Sequence, residues 1–176
     1  MTPKLILVLG GARAGKSTFA LRLAKEIAGE GSVTFIATAQ ALDEEMSQRI
    51  ARHREERPSH WTTIEEPYRL DEALIKVSNP GVALVDCLTL FTSNWLLRED
   101  EHTLNEVSNR FLTNVRSQSQ TVIVVSNEVG LGLVPETPLG RSFRDLLGRV
   151  NQQFAEAADE VYLLVAGLPL RLKPRD

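Results

Sequence analysis

The sequence has one cysteine, Cys87, in 176 residues. A single thiol forms no disulfide within the chain and builds no cysteine-cluster metal site. No apolar run approaches the ~20 residues that a membrane span requires. Leu5–Leu9, the first apolar run, is too short for a secretory signal. Positive charge is not in excess: 20 Lys and Arg stand against 23 Asp and Glu, a net charge of −3. That balance argues against a surface tracking nucleic-acid phosphates. No repeat, low-complexity tract or Pro/Gly/Ser-rich linker divides the chain. These absences lead to the expectation of a cytoplasmic protein folded as one domain over residues 1–176, with no membrane span and no nucleic-acid partner.

What is present begins with Gly10-Gly11-Ala12-Arg13-Ala14-Gly15-Lys16-Ser17. It follows the apolar run Leu5–Leu9 and precedes an amphipathic segment from Thr18 to Gly29. This is G-x-x-x-x-G-K-[ST] in its strand–loop–helix setting. The glycines let successive backbone N–H groups turn inward on phosphate oxygens, where the helix dipole adds positive potential. Lys16 can reach the β- and γ-phosphates, and the Ser17 hydroxyl can ligate Mg²⁺. A nucleoside triphosphate is the expected ligand.

Further along, Val33–Ala37, Val82–Val85, Thr121–Val125 and Val161–Val165 read as short buried strands. Trp61–Ile64 reads as a brief one, and Leu168–Leu172 as a last pairing strand. Helical periodicity marks residues 42–57, 69–77, 88–97, about 104–118 and 143–154. In the first of these, Leu42, Met46, Ile50 and His53 share a face, and Pro58 ends the helix. The loop 130–140 has no period. Strands alternating with helices predict a three-layer α/β P-loop NTPase fold, RecA-like, around a mostly parallel sheet.

Asp86 closes an apolar strand at the carboxyl edge of that sheet, where ligands bind. It is the candidate second acid of the site, holding Mg²⁺ directly or through water; the alternative is a solvated strand-end acid. Among the histidines His53, His60 and His102, only His53 stands among arginines: Arg52, Arg54 and Arg57. An imidazole so placed can attack a phosphate while guanidiniums neutralise developing charge. Equally, a lone helical histidine can be structural, and the arginines can complement the helix dipole. Glu128 either points to substrate or caps its loop. Arg13 is expected to be exposed, and Thr89 and Asn94 are weaker candidates for the same edge.

Taken together, several motifs resemble a known family. They are Gly10 to Ser17, Ile36-Ala37-Thr38-Ala39, Arg49-Ile50-x-x-His53-Arg54-x-x-Arg57-Pro58-x-x-Trp61, Val85-Asp86-Cys87-Leu88-Thr89, Ser126-Asn127-Glu128-Val129-Gly130 and Gly148-Arg149-Val150-Asn151-Gln152. From Leu5 to about Gly167 the chain resembles the adenosylcobinamide kinase/adenosylcobinamide-phosphate guanylyltransferases of cobalamin biosynthesis. The resemblance implies phosphorylation of adenosylcobinamide by ATP or GTP, then transfer of GMP from GTP through a guanylylated histidine. It implies His53 as that nucleophile, because Arg52 stands where some relatives carry an adjacent histidine. By the same matching, Ala37, Thr38, Ala39, Arg54, Glu55, Glu56, Arg57, Glu65 and Asp86 join the phosphate loop as nucleotide contacts. Asp86 is a shorter carboxylate than the Glu of some relatives. The family also implies a corrinoid partner and a homotrimer with active sites between subunits. Two readings stay open beside it: a small-molecule kinase without the transferase step, and a P-loop ATPase or switch module. The Asn-Lys-x-Asp guanine signature is absent, so the residues alone do not choose GTP over ATP.

Overall fold

Every residue of the strand Leu5–Gly10 (β1) is buried, as are those of Val33–Ala37 (β2) and Thr121–Val125 (β5). Strands buried on both faces must alternate between two cores, and these do. Leu5, Leu7, Leu9, Ile36, Val122 and Val124 face one core, while Ile6, Val8, Phe35, Ile123 and Val125 face the other. The computed structural model describes residues 4–173. The remaining elements are α1 (Lys16–Ala28), α2 (Glu44–Glu55), β3 (Thr62–Glu65), α3 (Leu70–Ile75), β4 (Val82–Asp86), α4 (Leu88–Leu96), α5 (Glu101–Ser117), α6 (Pro138–Ala157), β6 (Glu160–Val165) and β7 (Leu168–Lys173).

Seven strands form one sheet in the order β3-β2-β4-β5-β1-β6-β7. All pairs are parallel except β6 with β7. Helices α3 to α6 cover one face through Leu70, Leu74, Phe91, Phe111, Leu146 and Phe154, among others. On the other face α1 packs Ala20 and Ala24 against the sheet, with Phe19, Leu23 and Ile27 alongside. The three-layer P-loop fold is therefore as expected. Parallel strands bring the carboxyl ends of β1, β2, β4 and β5 to one edge, so Gly10, Ala37, Asp86 and Val125 share a rim.

Local differences from the sequence reading have physical causes. Leu42 lies outside α2 and is 72% exposed, because Asp43 caps that helix by accepting from the Met46 N–H at 2.7 Å. No residue of α2 is buried, so the apolar stripe expected there is only half-covered by the rest of the chain. Helix α6 starts five residues before its apolar stripe: Pro138 fits the first turn, and the Thr137 hydroxyl accepts from the Gly140 N–H.

One buried charge ties α3 to α5. Asp71 accepts from Arg69 Nε and Nη2, both at 3.1 Å, and from Arg110 Nε at 2.8 Å. Burial alone would raise its carboxyl, but the two arginines outweigh that and hold it below the usual range. A depressed carboxylate contributes stability above its unfolded value near 4 that is lost as pH falls through the folded one. Asp71→Asn is expected to cost about 2 kcal/mol at pH 7, and the cost should shrink in melts below about pH 4.

Candidate active site

The phosphate loop is held from three sides. Glu128 N–H donates to Gly10 O at 3.0 Å, and Ala14 N–H closes onto Gly11 O at 3.3 Å. At the β6–β7 turn, Ala166 and Gly167 have φ of 51° and 83°. That turn lies against the loop: Gly167 N–H donates to Ala14 O at 3.0 Å. A Cβ on Gly10 would stand 2.6 Å from Leu164 O, and one on Gly15 3.2 Å from the Gly167 Cα. The spacing of the glycines is thus also a packing demand from β6 and its turn.

Helix α1 begins at Gly15, which has φ 91° and supplies no side-chain cap. Helices α2, α5 and α6 are capped by Asp43, Asp100 and Thr137. The uncapped amides at the start of α1 therefore retain donors for an anion. Lys16 is 8% exposed and donates from Nζ to Gly11 O at 2.7 Å. Burial lowers its ammonium from the ordinary lysine value, against opposing pulls from Cys87 and Asp86. Arg13 is exposed with φ 58°, and Gly11 and Ala12 are exposed beside it.

Across the rim, Ser17 Oγ donates to Asp86 Oδ2 at 3.0 Å. Desolvation raises the Asp86 carboxyl, while the Ser17 bond and the charges of His53, Arg57 and Lys16 pull it back down. One half-buried carboxylate thus feels the phosphate loop and the histidine arm together. His53 reaches this neighbourhood from the C-terminal turn of α2, 47% exposed, with Glu56 Oε2 3.6 Å from its Nδ1.

Arg57 is stacked over the Phe35 ring, 3.5 Å from its centroid, and its Nη1 donates to Thr63 Oγ1 at 3.4 Å. Its Nε is buried and has no hydrogen-bond partner among the described residues. Desolvation lowers its guanidinium, with Asp86 opposing and Arg54 adding to the effect. Arg54, Glu55, Glu56 and Glu65 are exposed around it. Thr38 is fully buried, and its hydroxyl donates to Cys87 O and accepts from Cys87 N–H, both at 2.8 Å. Its side chain is committed to joining the ends of β2 and β4. Ala37 is buried and Ala39 half-buried beside it.

The Cys87 thiol is pushed up to about 11, first by burial and then by Asp86. Burial thus keeps the thiol protonated at neutral pH and a poor nucleophile. Thr89 Oγ1 accepts from Asn127 N–H at 2.8 Å, and Asn94 Nδ2 donates to Thr38 O and Pro67 O. Both brace the rim. Glu128 Oε1 accepts from Gly130 N–H at 2.7 Å, so it caps its loop. Sequence reasoning missed the buried relay in which Ser126 Oγ donates to Asn151 Oδ1 and Asn151 Nδ2 to Asn127 O. Its residues stood in two of the family motifs, and Asn151 stood among the apolar residues of α6, but nothing in the sequence paired them.

Hard oxygen donors at Ser17 and Asp86, beside a phosphate cradle, fit a Mg²⁺ held partly by substrate phosphates. Among the described residues no cluster of three or more His, Cys, Asp or Glu offers an all-protein cage. No described helix is long and apolar enough to cross a membrane.

A strand, an uncapped helix start and an acid two strands away define a P-loop NTPase fold. It is shared with a solved ATPase domain (TM-score 0.59, 15% identity, covering 98% of this chain and 78% of that one). It is also shared with the flagellar accessory protein FlaH of Methanocaldococcus jannaschii (TM-score 0.57, 15% identity, 99% and 80%). The chain belongs to the cobinamide kinase / cobinamide phosphate guanyltransferase family, whose model matches residues 6–172. It is 47% identical to the bifunctional adenosylcobalamin biosynthesis protein CobP of Pseudomonas aeruginosa, over 95% of this chain and 96% of that protein. Identity to the bifunctional protein CobU of Escherichia coli is 41%, over 96% and 99%. To CobU of Salmonella typhimurium it is 39%, over the same shares.

Proposed function

We propose that this chain phosphorylates adenosylcobinamide with ATP or GTP and then transfers GMP from GTP to the product through His53, giving adenosylcobinamide-GDP. The observation that carries this reading is Asp86 at the sheet rim, hydrogen-bonded by Ser17 of the phosphate loop and within electrostatic reach of Lys16 and of His53 on α2. In the first step the acceptor hydroxyl oxygen attacks the γ-phosphorus and sheds its proton, and the β–γ bridging bond breaks to release the diphosphate. Amides of Gly11 to Ser17 orient the phosphates, while Lys16 leaves Gly11 O to neutralise them. Ser17 and Asp86 would hold Mg²⁺, which would neutralise phosphate charge. In the second, a His53 ring nitrogen attacks the α-phosphorus of GTP and pyrophosphate leaves. An oxygen of adenosylcobinamide phosphate then attacks the same phosphorus, and the P–N bond breaks. Arg54 and Arg57 stabilise the transferred phosphate, and Arg57, stacked on Phe35 with Nε unpaired, is preorganised to do so. Ala39, Glu55 and Glu65 frame the nucleoside side of the site, and the buried Ala37 and Thr38 hold that edge in place.

We further place the protein in the cytoplasm as a homotrimer of single-domain chains. The second point draws support from β7, an edge strand whose Leu168, Leu170 and Leu172 are 52–73% exposed on one face. Nucleotide dependence tests the reaction order. With ATP alone, adenosylcobinamide should accumulate as its phosphate; adding GTP should convert this to the GDP adduct with one pyrophosphate per turnover. Accumulation of the phosphate with GTP present, and no pyrophosphate, would leave a simple kinase.

A further inference from the structure

Loops on the rim differ sharply in what they expose. The one leaving β5 carries Leu131, Leu133 and Val134, which are 83%, 95% and 66% exposed. Its root is rigid. Asn127 N–H is bound by Thr89, Asn127 O by Asn151, and Glu128 N–H by Gly10 O of the phosphate loop itself. Its far end is also fixed, because Arg141 Nη1 donates to Pro135 O at 3.0 Å and to Glu136 O at 2.7 Å. Between these anchors, residues 131–134 make no hydrogen bond among the described residues. A clamped loop with apolar side chains and free amides at its tip is arranged to meet something outside the chain.

We propose that Leu131, Leu133 and Val134 are the platform on which the corrinoid acceptor lies while its hydroxyl meets the γ-phosphate, an assignment that rests on the function proposed above. Position favours this occupant. β5 pairs with β1 and Glu128 N–H bonds Gly10 O, so the loop leaves the sheet beside the phosphate loop. On the opposite side of β1, the β6–β7 turn lies against Ala14 and Gly15. Chemistry favours it too. A corrinoid is a broad apolar macrocycle fringed with primary amides, which suits leucine side chains interleaved with unpaired backbone N–H and C=O groups. Nucleotide phosphates already have the amides at the start of α1, which leaves this tip to the acceptor. A second copy of the chain is the competing occupant, and the exposed leucines of β7 give that copy a separate surface.

The test compares wild type with the Leu131→Ser/Leu133→Ser double variant, measuring phosphorylation against cobinamide concentration at saturating ATP. The KM for cobinamide should rise about tenfold or more. The KM for ATP, labelling by GTP alone, the melting temperature and the sedimentation coefficient should stay at wild-type values. Leu133→Met should recover most of the loss. An unchanged cobinamide KM would overturn the proposal, and so would a higher KM accompanied by dissociation into smaller species, which would assign the tip to a subunit contact. Wild-type protein that fails to phosphorylate cobinamide would instead sink the functional reading itself.

Discussion

His53→Ala is expected to abolish GMP transfer, lowering its rate by about four orders of magnitude or more, while leaving phosphorylation of cobinamide within about twofold. The asymmetry follows from the geometry. His53 sits on α2, which contributes no buried residue, so removing its imidazole opens no cavity and should move the melting temperature little. The kinase step draws on the loop after β1 and needs no covalent group from α2. A drop of four decades corresponds to about 5.5 kcal/mol of lost transition-state stabilisation. An electrostatic role for a half-exposed ring would supply far less. Equal loss of both activities would instead point to a structural part for the histidine in the cleft. Measuring the two half-reactions separately, with cobinamide and with cobinamide phosphate, decides between them.

Lys16→Ala gives the complementary result. Phosphoryl transfer to cobinamide should fall about 10³-fold, or about 4 kcal/mol, because the charge that neutralises the γ-phosphate is gone. Lys16 is nearly buried, and its folded-state partner is a single carbonyl, Gly11 O. Losing that bond should cost stability only about 1 kcal/mol, so the variant remains folded. Lys16→Arg should rescue poorly. The cradle closes around a compact ammonium, and a planar guanidinium does not fit the same path between Gly11 and the helix start. Unchanged phosphoryl transfer in Lys16→Ala would contradict the role assigned to the loop.

The fold was legible wherever burial is complete. Leu5–Leu9, Val82–Val85 and Thr121–Val125 read as strands because both faces of each are covered, leaving an unbroken apolar run. The phosphate loop was legible because its glycines answer a local backbone demand. Helix α2 was legible to within two residues at each end, but its inward face was not: the periodicity counted Leu42 as inward, whereas it lies before the capping aspartate and stands in solvent. What the sequence could not reveal is long-range pairing of polar groups. Thr38 binding both sides of Cys87, Asn151 holding the root of the β5 loop, and Gly167 pressing on Gly15 all join positions dozens of residues apart. Glu128, open between two readings, is fixed as a loop cap by its Gly130 contact. Ser17 and Asp86 were each expected as metal-holding groups, but their direct hydrogen bond and the electrostatic environment that Asp86 shares with Lys16, Arg57 and His53 emerge only in three dimensions.

The central claim is that a covalent guanylyl–histidine forms at the end of α2. Its most direct test is to incubate the protein with Mg²⁺ and α-labelled GTP, without corrinoid, and then denature and digest it. The account predicts one labelled peptide whose added GMP sits on His53, released by acid and stable to alkali as a phosphoramidate is. Label on another residue, or none retained after denaturation, would contradict it.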